Sequence, residues 1–270
     1  MRTGDTEALY PDPTRSLIGA TPVRFVTTLL LLLLVYGFSL YFVHFDLGRL
    51  WGGLPRLAHW AAKAWPPDTS DLAVLIERAV ETVAMAVVGT TIGVIIAAPC
   101  CIVAAQNITP SGLLYTPMRW FLNALRGIDS FIFALLFVAA VGLGPFAGVL
   151  GIGLHSAGTI AKLWSEAIEA VEPGPLEAAA LTGANRLKVI SYALLPDVLP
   201  NLTSITLYVW EFNVRSSTVL GVVGAGGIGQ ELKNSVDLLD FARLFTIILI
   251  ILAMVTMIDQ FSARLRRGLV

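Results

Sequence analysis
The residues from Phe25 to Val43 run for 19 positions without one charged side chain, and those from Thr82 to Ala105 run for 24. A helix crosses the hydrocarbon of a bilayer with about 20 mostly apolar residues, so each run reads as a spanning helix. Soluble domains carry about 25% charged residues. Of these 270 residues only 14% are charged and 56% are hydrophobic, too few charges to coat a water-facing surface. The chain reads as an all-α polytopic membrane protein.

Four further spans follow from the same reasoning. The chain is apolar from Phe121 to Trp164, and Gly142-Leu143-Gly144-Pro145 divides that stretch in two. A fifth span fits Pro200 to Leu220 and a sixth Leu244 to about Phe261. Gly89, Gly93 and Ala97 repeat at the four-residue spacing that lets helices approach closely in lipid. The expected organisation is a tail over 1–24, containing Tyr10-Pro11-Asp12-Pro13, a peripheral span over 25–43 and a loop over 44–81. A core of the other five spans then covers 82–261, with an inner loop at 166–196 and a tail at 262–270. The first apolar run is too long for a signal peptide, and the tail reads as retained.

Six spans place both termini on one side. With that side inside, Arg2, Arg15, Arg24, Arg119, Arg126, Lys162, Arg186, Lys188, Arg264, Arg266 and Arg267 face the cytoplasm. Arg49, Arg56, Lys63, Arg78, Lys233 and Arg243 face out, so the positive-inside rule favours cytoplasmic termini. The first outer loop is itself basic. Its Trp51, Trp60 and Trp65 among Arg and Lys suit either an interfacial segment or a solvated loop.

Several chemistries are excluded. Eighteen Lys and Arg against 19 Asp and Glu give a net charge of −1, which leaves no nucleic-acid footprint. Cys100 and Cys101 are adjacent in an apolar run and read as packing residues, and neither CxxC nor HExxH occurs, so no metal site is expected. Gly224-Ala-Gly226-Gly227-Ile-Gly229 matches the dinucleotide fingerprint, but it lies between two spans instead of between a strand and a helix. These glycines read as a tight re-entry or close backbone approach at the outer face. There is no Gly-Lys pair, hence no Walker A loop.

The segment from Glu166 to Pro196 carries the strongest functional signal. Pro173-Gly174-Pro175 predicts a sharp entry to a short helix from near Leu176, with Glu177 favoured at its start by the helix dipole. Gly183 is placed to end that helix, and Ala178 to Ala180 give it a smooth flank that suits a groove. Glu177-Ala-Ala-Ala-Leu-Thr-Gly183, with Ile190 and Leu195-Pro196 downstream, resembles the EAA loop of the membrane subunits of binding-protein-dependent ABC importers. Two other stretches resemble the phosphonate-import permease, or PhnE, family. They are Gly142-Leu-Gly-Pro-Phe-Ala-Gly148 running on to His155-Ser-Ala-Gly158 and Lys162-Leu-Trp-Ser-Glu166, and Trp210-Glu-Phe-Asn-Val-Arg215 running on to Thr218-Val-Leu-Gly221.

The resemblance implies a MetI-like core and a coupling helix, with Glu177, Ala178, Ala179, Gly183, Leu195 and Pro196 docking on a cytoplasmic ATPase dimer. It also implies a homodimer and an extracytoplasmic binding protein that delivers phosphonate, phosphite or phosphate. ATP and Mg belong to the partner, and this chain is expected to hold no cofactor and to catalyse nothing. Rival readings are a permease for another solute such as methionine, a secondary transporter, and an intramembrane enzyme. Ionisable residues within spans are the site candidates. Arg126 and Asp129 read as a pair, with Arg126 otherwise a snorkelling anchor, and His155 as a packing or a ligand residue. Glu211 and Arg215, one turn apart and two-thirds of the way out along span five, read as a structural pair or as the anion route, with Asn213 and Thr218 as neutral donors.

Overall fold
The computed structural model describes residues 22–109 and 112–268. Tyr10 to Pro13, Arg2, Arg15 and Pro110 lie outside the described residues, as does the side chain of Arg186. The described residues form helices and no strand.

The chain divides into two units, Met1–His59 and Trp60–Val270. The first holds α1 (Pro22–Phe42) and most of α2 (Leu47–Lys63). In α1 the hydroxyls of Thr27, Thr28 and Ser39 donate to carbonyls three or four residues back, so these small polar side chains are satisfied within the apolar helix. The expected loop at Asp46 to Pro67 is mostly helix: Asp46 Oδ1 accepts from the backbone N–H groups of Gly48 and Arg49 and starts α2.

The second unit holds α3 (Leu72–Ala104), α4 (Gly112–Gly127), α5 (Ser130–Val141), α6 (Pro145–Glu169), α7 (Pro173–Leu181), α8 (Arg186–Val189), α9 (Leu195–Leu220), α10 (Ile228–Asp237) and α11 (Phe241–Arg267). By length and apolarity α1, α3, α6 and α11 can each cross a membrane, and α4 with α5, bent by 83°, is a broken span or a re-entrant loop. The expected fifth span is α9, whose 26 residues are interrupted by Glu211 and Arg215 and are not apolar enough to count with them.

Several boundaries differ from the sequence reading. Helix α3 begins at Leu72, ten residues before the expected Thr82, because charge ends an apolar run without ending a helix. Arg78 and Glu81, 2.7 Å apart, support that extension one turn apart. At 33 residues α3 is about 50 Å long, against about 30 Å of hydrocarbon. The third span is not straight: α4 stops at Gly127, and Asp129 accepts from Phe131 N–H at 2.8 Å to start α5 in a new direction. Helix α6 continues past Trp164 to Glu169, α9 starts at Leu195 and not Pro200, and α11 starts at Phe241.

Helix α6 is the axis of the second unit, packed on α3, α4, α5 and α9. Its most extensive interface is with α3, where the expected small residues do their part. A methyl added at Gly89 would stand 2.7 Å from Ile152, and one at Gly93 would stand 2.7 Å from Ser156. On its other sides α6 offers Gly151 to the backbone of Ala134 and Gly158 to Leu125 and Arg126, where an added methyl would stand 2.7 Å from Ala134 N and 2.6 Å from Leu125 Cβ. These approaches convert apolar faces, which lipid alone would not drive together, into dense van der Waals contact.

Gly158→Ala is therefore expected to cost about 1–3 kcal/mol by overpacking, seen as a lower melting temperature in lipid nanodiscs. Gly37→Ala in α1, with nothing within 4 Å, is expected to leave the melting temperature unchanged or slightly raised.

Candidate functional site
The break between α4 and α5 is the first element of the site. His155, one turn past the Gly151 contact, bonds through Nδ1 to the Ile128 carbonyl at 2.8 Å, so the carbonyl freed by the bend is satisfied from α6. Its Nε2 stands 3.5 Å from Thr159 Oγ1. Histidine thus holds the corner. The expected Arg126–Asp129 pair does not form, and Asp129 is engaged as the cap of α5. Arg126 is exposed and makes no ion pair or side-chain hydrogen bond among the described residues. Its backbone packs on Gly158, near the middle of α6.

The second element is α9. Asn213 is fully buried, and its Nδ2 donates to Thr90 Oγ1 and Ser156 Oγ, each at 2.8 Å. That uses both amide hydrogens to join α3, α6 and α9, and leaves Oδ1 buried without a partner. Thr218 Oγ1 donates to the Arg215 carbonyl within its own helix. Both residues, expected as neutral donors toward a solute, have their hydrogens committed. The Asn213–Ser156 contact sets this part of α9 level with the middle of α6, and Arg215, two residues further on, lies in the last third of α9 itself.

Glu211 and Arg215 do pair, and two partners on α11 join them. Arg215 Nη2 reaches Glu211 Oε1 at 2.5 Å and Asp259 Oδ1 at 3.1 Å, while Glu211 Oε2 takes Arg266 Nη2 at 3.0 Å. Rising numbers on α9 meet falling numbers on α11, so the helices are antiparallel. The four charges sum to zero. Asp259 and Arg266 were invisible to local spacing, because their partners are 44 and 55 residues away. Two hydrogens on Nη2 serve the two carboxylates, so the three N–H groups on Nε and Nη1 remain without acceptors among the described residues. A groove of about 320 Å³ between α5 and α9 is lined by Asp129, Phe131, Phe212, Arg215, Ser216, Val219 and Leu220. Ser130 and Ser216 share a 2.7 Å hydrogen bond beneath it. The bend and the Arg215 network, separate in sequence, thus meet at one place.

The glycine segment closes the opposite end of α9. Gly224, Gly226 and Gly227 have φ of 85°, 79° and 71°, a left-handed conformation that side chains resist. Ile228 N–H donates to Thr82 Oγ1 at 2.8 Å, Gly144 N–H donates to the Gly224 carbonyl at 2.9 Å, and a Cβ on Gly229 would collide with the Thr218 carbonyl. The segment is a close backbone approach onto α3 and α6, with no strand and no nucleotide cradle.

Helix α7 begins at Pro173, three residues before expectation. Proline is tolerated in a first turn because its missing N–H has no intrahelical acceptor there. Glu177 therefore lies in the second turn and caps nothing. Gly183, with φ 78°, ends the turn by donating to the Ala180 carbonyl at 3.0 Å. Leu181 is 89% exposed and Tyr192 82%, and Leu187 stands exposed between them, an apolar cluster at the tip of a connecting segment. Ile190–Leu194 then forms one π turn, in which Leu195 N–H reaches back five residues to the Ile190 carbonyl, leading into Pro196 in the first turn of α9. Beside this segment Arg119 Nη2 pairs with Glu169, whose Oε1 takes the Gln106 N–H at 2.7 Å, and Arg119 Nε donates to the Ala104 carbonyl, tying together the ends of α3, α4 and α6.

The second unit, apolar helices packed on α6 with a protruding helix–turn on one connection, suits a transport permease, and the chain belongs to the family described as the binding-protein-dependent transport system inner membrane component, whose model matches residues 79–270. Within it the chain belongs with the phosphonate and phosphite permeases. It is 50% identical over 243 residues to HtxC of Stutzerimonas stutzeri, covering 90% of this chain and 86% of that one. It is 44% identical over 222 residues to the phosphite transport system permease protein PtxC of the same organism, covering 82% and 81%. The fold is that of a chain of the MetNI methionine ABC transporter, with a TM-score of 0.67 at 23% identity, covering 75% of this chain and 99% of that one. The protein is a multi-pass transport subunit and not an enzyme, and in such systems ATP hydrolysis and solute capture belong to separate partners.

The charge network yields a test. Removing Glu211 leaves Arg266 without a carboxylate and Arg215 with Asp259 alone, so Glu211→Ala is expected to cost about 3 kcal/mol, measured as a lowered melting temperature. The double variant Glu211→Ala/Arg266→Ala is expected to recover part of that loss, and strict additivity would show that the contact carries no coupling.

Proposed function
We propose that two copies of this chain form the membrane pathway of an ATP-driven importer for a phosphorus oxyanion, with phosphite or a phosphonate as cargo. PtxC is named for phosphite transport, which supports the class of cargo. The observation that carries the reading of the path is a pair of guanidinium groups, one at the α4–α5 bend and one lining the groove beside it. Arg126 stands at the α4–α5 bend without an ionic partner among the described residues, and Arg215 lines the adjoining groove with three N–H groups unused. A tetrahedral oxyanion accepts such a planar fork of donors in bidentate fashion, which a lysine's point charge cannot match. Glu211 and Asp259 hold Arg215 charged and oriented, and the apolar walls from Phe131, Phe212 and Val219 suit the carbon substituent of a phosphonate. His155 acts on the path indirectly, by fixing the bend.

The α7 segment docks on the ATPase. Its support is the exposed Leu181, Leu187 and Tyr192, since apolar surface on a water-facing connection marks a protein contact. Glu177 and Ala178 are exposed on the short helix and Ala179 is half-buried, while Leu195 and Pro196 open α9 beyond the π turn. ATP and Mg in the partner close and reopen the two copies, switching the cavity between faces of the membrane. The basic asymmetry of the loops supports cytoplasmic termini and a cytoplasmic α7.

Uptake by proteoliposomes holding the permease, its ATPase and its binding protein tests the cargo and the path. Labelled phosphite uptake is expected to be competed by a phosphonate and not by methionine. Arg126→Gln and Arg215→Lys are each expected to lower uptake about tenfold or more, the loss of one charge-assisted hydrogen bond, with ATPase assembly intact. Wild-type uptake in both would move the path elsewhere.

Docking has its own test. Nothing lies within 4 Å of a Cβ at Gly183, so Gly183→Leu acts only through its positive φ. The variant is expected to insert normally and to lose the ATPase on affinity purification, and full retention would remove α7 as the dock.

A further inference from the structure
Helix α2 sorts its side chains more sharply than any transmembrane helix in the chain. Leu47, Leu50, Trp51, Leu54, Leu57, Ala58 and Ala61 recur at intervals of three and four residues and so share one face. Arg49, Arg56, His59 and Lys63 share the opposite face, with Gly52 and Gly53 between them. No residue of α2 is buried, and its large apolar side chains, Trp51 and Leu54 among them, are all exposed. An apolar stripe of seven residues left in water would be a liability, and one of this width is too short to span a bilayer at 17 residues.

The last turn of α2 meets the start of α11, a helix long and apolar enough to cross a membrane. Asp240 accepts from Arg243 N–H at 3.1 Å and caps that start. Trp60 stacks on Phe241, the first residue of α11, with ring centroids 5.3 Å apart and planes 15° apart. The charge of the polar face is one-sided. Asp46, just before α2, pairs with Arg49 at 3.3 Å, but Arg56 and Lys63 have no acidic partner among the described residues.

We propose that α2 lies along the membrane surface, with its Leu47–Ala61 stripe in the acyl boundary and Arg56 and Lys63 on the phosphates of anionic phospholipids. Each such cation near an anionic surface contributes about 1 kcal/mol, roughly fivefold in local lipid preference. The helix thereby recruits anionic lipid to the rim of the permease. The inference is independent of the cargo and of the translocation path.

The test uses the full-length permease in nanodiscs, with a fluorophore on Leu54→Cys and, separately, on His59→Cys. Brominated phosphatidylglycerol and brominated phosphatidylcholine are compared as quenchers at equal mole fraction. The label at position 54 is expected to be quenched several-fold more than that at 59, and at least twofold more by the anionic lipid. That preference is expected to vanish in Arg56→Gln/Lys63→Gln. A label at 54 that neither lipid quenches would overturn the surface placement. Equal quenching by the two lipids, or a preference that survives the double substitution, would overturn the headgroup contact.

Discussion
The close approach of α6 to its neighbours is the constraint on which the rest of the structure depends. In lipid there is no water to expel, so helices associate only as far as their surfaces interlock and their polar groups find each other. Gly89 and Gly93 on α3, with Gly151 and Gly158 on α6, remove the side chains that would hold the backbones apart. That proximity brings Thr90 and Ser156 within reach of Asn213 and lets His155 cap the carbonyl at the bend of the α4–α5 pair. The polar contacts of the site are thus a product of the packing, and a side chain added at the interface would move both.

Charge is handled differently from place to place in the bundle. Arg215 is offset by Glu211 and Asp259, and Glu211 by Arg266, so the network is neutral as a whole while still presenting unused donors on one side. Near the starts of α3 and α11 Arg243 bridges Asp71 and Glu231, each at 3.0 Å. Arg126 stands apart from both patterns, exposed and without an ion pair among the described residues.

The fold was largely legible from the apolar runs, because lipid imposes one rule on every span. Gly89, Gly93 and Ala97 announced the α3–α6 contact by spacing alone, and the α7 segment was legible through Pro173, Pro175 and Gly183. What escaped had no local signature. The bend at Ile128 sits inside an apolar stretch, and its cause, a cap by Asp129, is one a sequence also offers as an ion pair with Arg126. Helix ends at Leu72 and Leu195 were missed because apolarity stops where the membrane does and hydrogen bonding does not. The partners of Glu211 and Arg215 on α11 depend on antiparallel register, which no short window contains. Asn213 was read as a donor to solute because burial at a three-helix junction cannot be seen from one helix.

The π turn at Ile190–Leu194 has a mechanical meaning. In α geometry the ring of Pro196 would press on the carbonyl of residue 192, and one extra residue in the turn relieves that. Each residue in a helix advances the face by about 100°, so the inserted residue sets the angular phase between α9, which carries Arg215, and the segment leading back to α7. Without those five residues in π geometry, the face of α9 that carries Arg215 would stand about 100° away from where it stands relative to α7.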